Sequence, residues 1–117
     1  MPDFNNTSAP VMTLMPDGSK LWYQNGLLHR EDGPAIERAD GTRLWYRDGK
    51  RHRENGPAYE AEDGTKAWWR KGRLHREDGP AVEKPGGYKA WYRDGLRYRE
   101  EKPVIEWAKD QNDQDSD

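Results

Sequence analysis

A chain of 117 residues that is 32% hydrophobic and 36% charged fits one domain by length and leans toward disorder by composition. Its six Trp and six Tyr oppose that leaning, since each ring buries about 150–250 Å², and they call for a thin core in a flat or solenoid body. No Cys is present, which excludes disulfides and thiolate metal ligands, and the formal charge of −2 conceals a near-neutral body of +1 over residues 1–108 against −3 in the last nine, so net charge implies no polyanionic partner.

From the N-terminus, residues 1–9 carry neither the basic nor the apolar region of a signal peptide and read as a mobile lead-in. No apolar run approaches the roughly 20 residues of a membrane span, and a cytoplasmic protein is expected. Pro10-Val-Met-Thr-Leu-Met-Pro-Asp-Gly18 reads as the second half of an incomplete repeat (10–16), with one extra residue, pairing onto the first full unit. From there the chain steps by 23 through units 17–39, 40–62, 63–85 and 86–108. Trp22, Trp45, Trp68 and Trp91 keep the step, as do Gly26, Gly49, Gly72 and Gly95, and also Pro34, Pro57, Pro80 and Pro103. Glu37, Glu60, Glu83 and Glu106 form a further column. A fixed period of this length marks a stacked array in which each unit buries its apolar face against its neighbours, so a residue present once per unit is first of all structural.

Within each unit the spacing predicts a first strand (20–24, 43–47, 66–70, 89–93). A tight turn follows at Asn25-Gly26, Asp48-Gly49 or Asp94-Gly95, then a bent connection such as 26–33 with room for a short strand of its own. A second strand comes next (34–38, 57–62, 80–84, 103–108), closed by a hairpin turn such as Asp40-Gly41 or Asp63-Gly64. The expected fold is all-β, an elongated antiparallel meander of stacked hairpins forming an open sheet or solenoid. Alternation places the Trp column beside Lys20, Arg43, Lys66 and Lys89, and Leu21, Leu44, Ala67 and Ala90 on the other side with Tyr23, Tyr46, Trp69 and Tyr92. The last unit differs: Glu101-Lys102 replaces the Asp-Gly pair and Trp107 enters, which reads as a cap. Residues 109–117 read as a disordered acidic tail.

The unit Leu44-Trp-Tyr-Arg-Asp-Gly-Lys-Arg-His-Arg-Glu-Asn-Gly-Pro-Ala-Tyr-Glu-Ala-Glu-Asp-Gly64 resembles the MORN repeat and its bacterial variant. The matching stretches are Asn25-Gly26 to His29, Asp48-Gly49 to His52 and Lys71-Gly72 to His75, within residues 10–108. The chain departs from that family where a Gly-x-Gly is expected after the His, showing Arg-Glu-Asp/Asn-Gly-Pro, and a different local bend is expected there. The resemblance implies a meander of hairpins and a binding role, as a protein scaffold, a lipid-associated module or an antitoxin-like protein of bacterial or phage origin. For a phage protein the cytoplasm is the host cell's.

Three chemistries remain to weigh. The His-Arg-Glu-Asp blocks (His29 to Asp32, His52 to Asn55, His75 to Asp78) offer His beside carboxylates, a general acid–base or metal-ligand set. Equivalent His residues fall about 10 Å apart on successive hairpins, too far to share a metal, and Tyr98 takes the fourth His place. These His residues read as turn braces ahead of ligands. Ser8, Ser19 and Ser116 stand in no nucleophile setting, and the singly spaced glycines form no phosphate loop. No enzyme activity, metal or cofactor is expected. The Lys/Arg-x-Trp-Tyr/Trp runs form the second chemistry: a platform for nucleic acid, nucleotides or anionic lipid. The reading placed first is a non-catalytic protein-binding module, an inhibitor or antitoxin-like protein that blocks or scaffolds a partner. Its candidate contacts are the positions that vary between units, Trp69, Tyr59, Arg51, Arg73 and Arg97, with Arg30, Arg53 and Arg76 on a charge-balanced face. Edge strands at 10–15 or 103–108 offer a route to a homo-oligomer.

Overall fold

The computed structural model describes residues 9–103. The acidic tail, Glu106, Trp107, nearly all of the expected mobile N-terminus and all but the first residue of the expected strand 103–108 lie outside them. Among the described residues fourteen strands run in chain order: β1 (Val11–Leu14), β2 (Lys20–Gln24), β3 (Leu27–Leu28), β4 (Ile36–Glu37), β5 (Arg43–Leu44), β6 (Tyr46–Arg47), β7 (Lys50–Arg51), β8 (Tyr59–Glu60), β9 (Lys66–Ala67), β10 (Trp69–Arg70), β11 (Arg73–Leu74), β12 (Val82–Glu83), β13 (Lys89–Arg93) and β14 (Leu96–Glu101). The main sheet is an open antiparallel meander in the order β1-β2-β4-β5-β8-β9-β12-β13-β14, with β3 also on β2, and two small hairpins, β6-β7 and β10-β11, beside it. No helix among the described residues is long and apolar enough to cross a membrane.

Two turn chemistries alternate. Asn25-Gly26, Asp48-Gly49, Lys71-Gly72 and Asp94-Gly95 all have positive φ at both positions, 49–53° at the first and 79–84° at the glycine, the left-handed pair that a two-residue hairpin loop needs to match strand twist. The other turns run over five residues. In the second, Gly41 N–H donates to the Arg38 carbonyl, Arg38 N–H to the Thr42 carbonyl, and Thr42 N–H to Asp40 Oδ1 at 2.8 Å. The Ser19 and Thr42 hydroxyls then accept from Ala39 and Glu62 N–H of the following turn, which ties neighbouring turns together. Pro85 has no N–H to offer Thr65, so that tie ends there.

The Trp of each unit is where the strand changes partner. On the far edge of β2, Lys20 and Leu21 face Glu37 and Ile36 of β4, while Tyr23 and Gln24 face Leu28 and Leu27 of β3. Trp22 N–H donates to the Ala35 carbonyl and its own carbonyl accepts from His29 N–H. The stretch 29–34 has no place in the ladder and bulges over the Trp face. The expected continuous strands 43–47 and 66–70 are therefore each broken at the Trp, into β5/β6 and β9/β10. β2 stays whole because β1 pairs along its other edge over four residue pairs. The second strands are two residues long, not five or six, because Pro and the bulge occupy their first half. Ala35, Ala58 and Ala81 are fully buried at this crossover and Leu44 nearly so, which makes the core as thin as composition implied.

The last unit departs from the period. β14 runs along β13 with a single irregularity between Trp91 and Tyr92, and Lys89 faces Glu101. In the earlier units Lys20, Arg43 and Lys66 have Glu37, Glu60 and Glu83 in their ladders. Glu101 thus occupies the register slot that a strict 23-residue step assigns to Glu106, and the strand on this edge of β13 is Leu96–Glu101. With Glu101-Lys102 where Asp-Gly would bend the chain, the strand simply continues, and Tyr98 is left as its one bulged residue.

Candidate functional site

On the Trp face the residues that looked most like chemistry are engaged within the fold. His29 Nδ1 accepts from Asp48 N–H (2.9 Å), His52 Nδ1 from Lys71 N–H (2.9 Å) and His75 Nδ1 from Asp94 N–H (3.0 Å). Each imidazole so holds the first left-handed residue of the next unit's tight turn. An Nδ1 that accepts must carry its proton on Nε2 in the neutral ring, and Nε2 donates to Glu31, Glu54 or Glu77 at 3.2, 2.8 and 2.7 Å. That hydrogen bond is the main reason the carboxyls of Glu54 and Glu77 are held below the ordinary glutamate value. The three His residues are turn braces of one tautomer, and each serves its own turn.

Arg30, Arg53 and Arg76, expected on a partner-facing surface, are drawn inward by the bulge. Each guanidinium lies on its own unit's Trp, 3.8–3.9 Å from the ring centre. Each Nη1 donates to the following Pro34, Pro57 or Pro80 carbonyl at 3.0–3.1 Å. The same nitrogen reaches Glu37, Glu60 or Glu83 at 3.2–3.4 Å. The Glu column is thus the far post of a Trp–Arg–Glu strut. Gly33, Gly56 and Gly79 are glycine because a Cβ there would come within 2.9–3.0 Å of the guanidinium carbon. Arg99 keeps the stack on Trp91 at 4.2 Å and pairs with Glu101 instead.

The opposite face holds the irregular cluster. Arg51 stands in the column of Leu28, Leu74 and Arg97, Tyr59 in that of Ile36 and Val82, and Trp69 in that of Tyr23, Tyr46 and Tyr92. β7, β8 and β10 bring all three together, with Tyr46 of β6. The Arg51 guanidinium carbon lies 4.8 Å from the Trp69 ring centre, 5.6 Å from Tyr46 and 5.9 Å from Tyr59, and Nη2 donates to the Tyr46 hydroxyl at 3.2 Å. Ala67, where unit one has Leu21 and unit two Leu44, faces Tyr59 across the ladder and leaves space for its ring. Arg51 Nε and Trp69 Nε1 are both shut away from solvent with no acceptor. A donor in that state costs about 1–3 kcal/mol relative to a bonded one, so this patch is less well satisfied than the struts behind it. Sequence reading singled out Arg51, Tyr59 and Trp69 as departures from their columns. Tyr46 escaped notice because it obeys its own column.

Arg73 and Arg97 do not join the cluster. Arg73 is exposed on the β10-β11 hairpin opposite Arg70, and Arg97 is exposed on β14, bonded to Glu100. On the Trp face, successive bulges leave open grooves. One of about 500 Å³ lies between Arg53–Gly56 and the wall of Trp68, Trp69 (whose carbonyl accepts from Arg53 N–H), Arg70, His75 and Arg76 to Asp78. Its counterpart one unit earlier measures about 460 Å³. Both mix guanidinium and carboxylate groups. No group of three or more His, Cys, Asp and Glu suited to a metal ion occurs among the described residues. Comparison of the chain with protein-family models, curated proteins and solved structures returns no match.

Proposed function

We propose that this chain is a non-catalytic protein-binding repeat module, of the inhibitor or antitoxin-like kind that the MORN-like repeat implies, which blocks or scaffolds one partner protein. The observation that carries the reading is the Arg51–Tyr46–Tyr59–Trp69 cluster. It breaks the repeat columns, is only half-buried and combines Trp, Tyr and Arg, the residue types that dominate interface energetics. The charge-mixed grooves on the opposite face add to it, since complementary charges of both signs suit a folded partner better than a polyanion. Affinity capture from a native extract, with Trp69→Ala as the control, tests it. A stoichiometric protein recovered by the parent chain and lost with the variant is the expected result, and no stoichiometric partner under any salt condition overturns it.

A platform for nucleic acid, nucleotides or anionic lipid has less support. Trp22, Trp45, Trp68 and Trp91 each already carry a guanidinium at 3.8–4.2 Å, so the ring face a base would stack on is taken. That alternative requires binding that weakens steeply with salt.

A further inference from the structure

We infer that Arg51 is the receptor for a single carboxylate, an Asp or Glu side chain presented by the partner. This rests on the protein-binding reading above and names the chemistry of its central contact. Arg30, Arg53, Arg76, Arg93, Arg97 and Arg99 pair with carboxylates; Arg51, like Arg38, Arg47, Arg70 and Arg73, has no such partner among the described residues, and of these it alone lies against three aromatic rings. The ring centres stand 4.8–5.9 Å from its guanidinium carbon. Its hydrogen bonding among the described residues is one donation, from Nη2 to the Tyr46 hydroxyl, which leaves the hydroxyl proton of Tyr46 pointing elsewhere as a further donor.

The patch therefore offers the terminal guanidinium N–H groups of Arg51 and the phenol of Tyr46 to a partner, while Arg51 Nε and the indole N–H of Trp69, shut away from solvent, leave it further short of acceptors. A planar fork of N–H groups in an aromatic setting matches a carboxylate in shape and charge, where a lysine would offer only a point charge. Partial desolvation by the rings strengthens the pairing. The equivalent positions one unit to either side are Leu28 and Leu74, so the anion met here is isolated and flanked by apolar surface. A nucleic acid or a lipid headgroup layer would gain from a continuous row of cations, whereas here Leu74 separates Arg51 from Arg97 of the same column, and Arg97 is already bonded to Glu100. The occupant is an acidic side chain set among apolar neighbours.

The test uses the isolated full-length chain and a blocked glutamate, N-acetyl-glutamate amide, followed by NMR at the Trp69 indole and Arg51 Nε–H resonances. Saturable shifts are expected with half-saturation at about 1–10 mM. They should be absent with the blocked glutamine analogue and weakened at least about tenfold in Arg51→Leu. Because Leu is the residue of the same column in the neighbouring units, this variant should unfold at no lower denaturant concentration than the parent. Trp69→Tyr, which restores the column residue, replaces the ring nearest the Arg51 guanidinium with a smaller one, and should weaken binding while keeping the fold, is the second variant. No saturation with the glutamate probe, equal shifts with the glutamine analogue, or tighter saturation by inorganic phosphate each overturns the inference. A marked loss of stability in Arg51→Leu would do the same by making the stack ordinary packing. A captured partner whose binding ignores Arg51→Leu sinks this inference and leaves the protein-binding reading standing.

Discussion

Arg53 and Arg51 stand two residues apart and end on opposite faces of the sheet, the first paired with a carboxylate and the second not. Arg53 lies on Trp45 at 3.9 Å and bonds the Pro57 carbonyl and Glu60. Arg51 lies among Tyr46, Tyr59 and Trp69 with a buried Nε that meets no acceptor. A stacked and paired arginine recurs in every described unit, whereas an arginine set among three rings occurs once among the described residues; Arg97, of the Arg51 column, is exposed and bonded to Glu100. A guanidinium that closes a strut and one that is left open teach where stability ends and recognition begins: the repeated contacts supply the cation with a carboxylate, and the departure from the repeat does not.

The largest expected effect tests the closed half of this comparison. Arg53→Leu removes the stack and the bond to Glu60, two groups that are each about a third exposed, and should lower stability by about 2–3 kcal/mol, read as the shift in a urea unfolding midpoint. If Arg51→Leu costs as much, the contrast between the two arginines collapses. Gly79→Ala comes next. Its Cβ would meet the Arg76 guanidinium carbon at 2.9 Å, so it should cost about 1–2 kcal/mol by displacing that side chain, and almost nothing further when Arg76 is already Leu. Full additivity in that double-mutant cycle would separate Gly79 from the strut.

A smaller effect is expected at the brace that links units. Lys71 holds φ at 52°, where its counterparts are Asn25, Asp48 and Asp94, residues that tolerate the left-handed region better than lysine does. Lys71→Asn keeps the backbone N–H that His52 accepts and should gain about 0.5 kcal/mol; a loss in thermal midpoint would show that the lysine side chain matters there. The smallest per-residue effect is acid sensitivity. Asp17, Asp40 and Asp63 have carboxyls held below their ordinary value by the N–H of Ser19, Thr42 and Thr65. A depressed folded value means the stabilisation is present above the unfolded pKa of about 3.9 and is lost as pH falls through the lower folded value. The fourth turn has Gly86 in this place and cannot contribute. Asp63→Asn should therefore flatten the fall in thermal midpoint below about pH 4, and an unchanged slope would remove the turn carboxylates from the acid response.

Much of the fold is legible because it is local. Asn-Gly and Asp-Gly pairs determine left-handed turn residues whatever surrounds them, and ring spacing sets which strands recur. The strand breaks at Trp45 and Trp68 are not local. They occur because each Trp divides its hydrogen bonds between two partners on one edge, while Trp22 is spared only by the full-length β1 on its other edge. The slot taken by Glu101 is equally hidden, since a strict period extrapolates to Glu106 and cannot know that losing one Asp-Gly bend lets β14 run straight. At the candidate site, Arg51, Tyr59 and Trp69 stood out as departures from their columns. The inward turn of Arg30, Arg53 and Arg76 did not, because nothing in the 23-residue step says that the Gly-Pro bend folds back over the Trp.

By itself the sequence determined the period, the all-β class and the two turn chemistries, since each follows from residue-by-residue backbone preference and side-chain alternation. Only the tertiary structure decided which cations are spent and which are open. That depends on which face the 29–34 bulge and its counterparts cover, and on three short strands converging around one guanidinium, and both are set by long-range hydrogen-bond register.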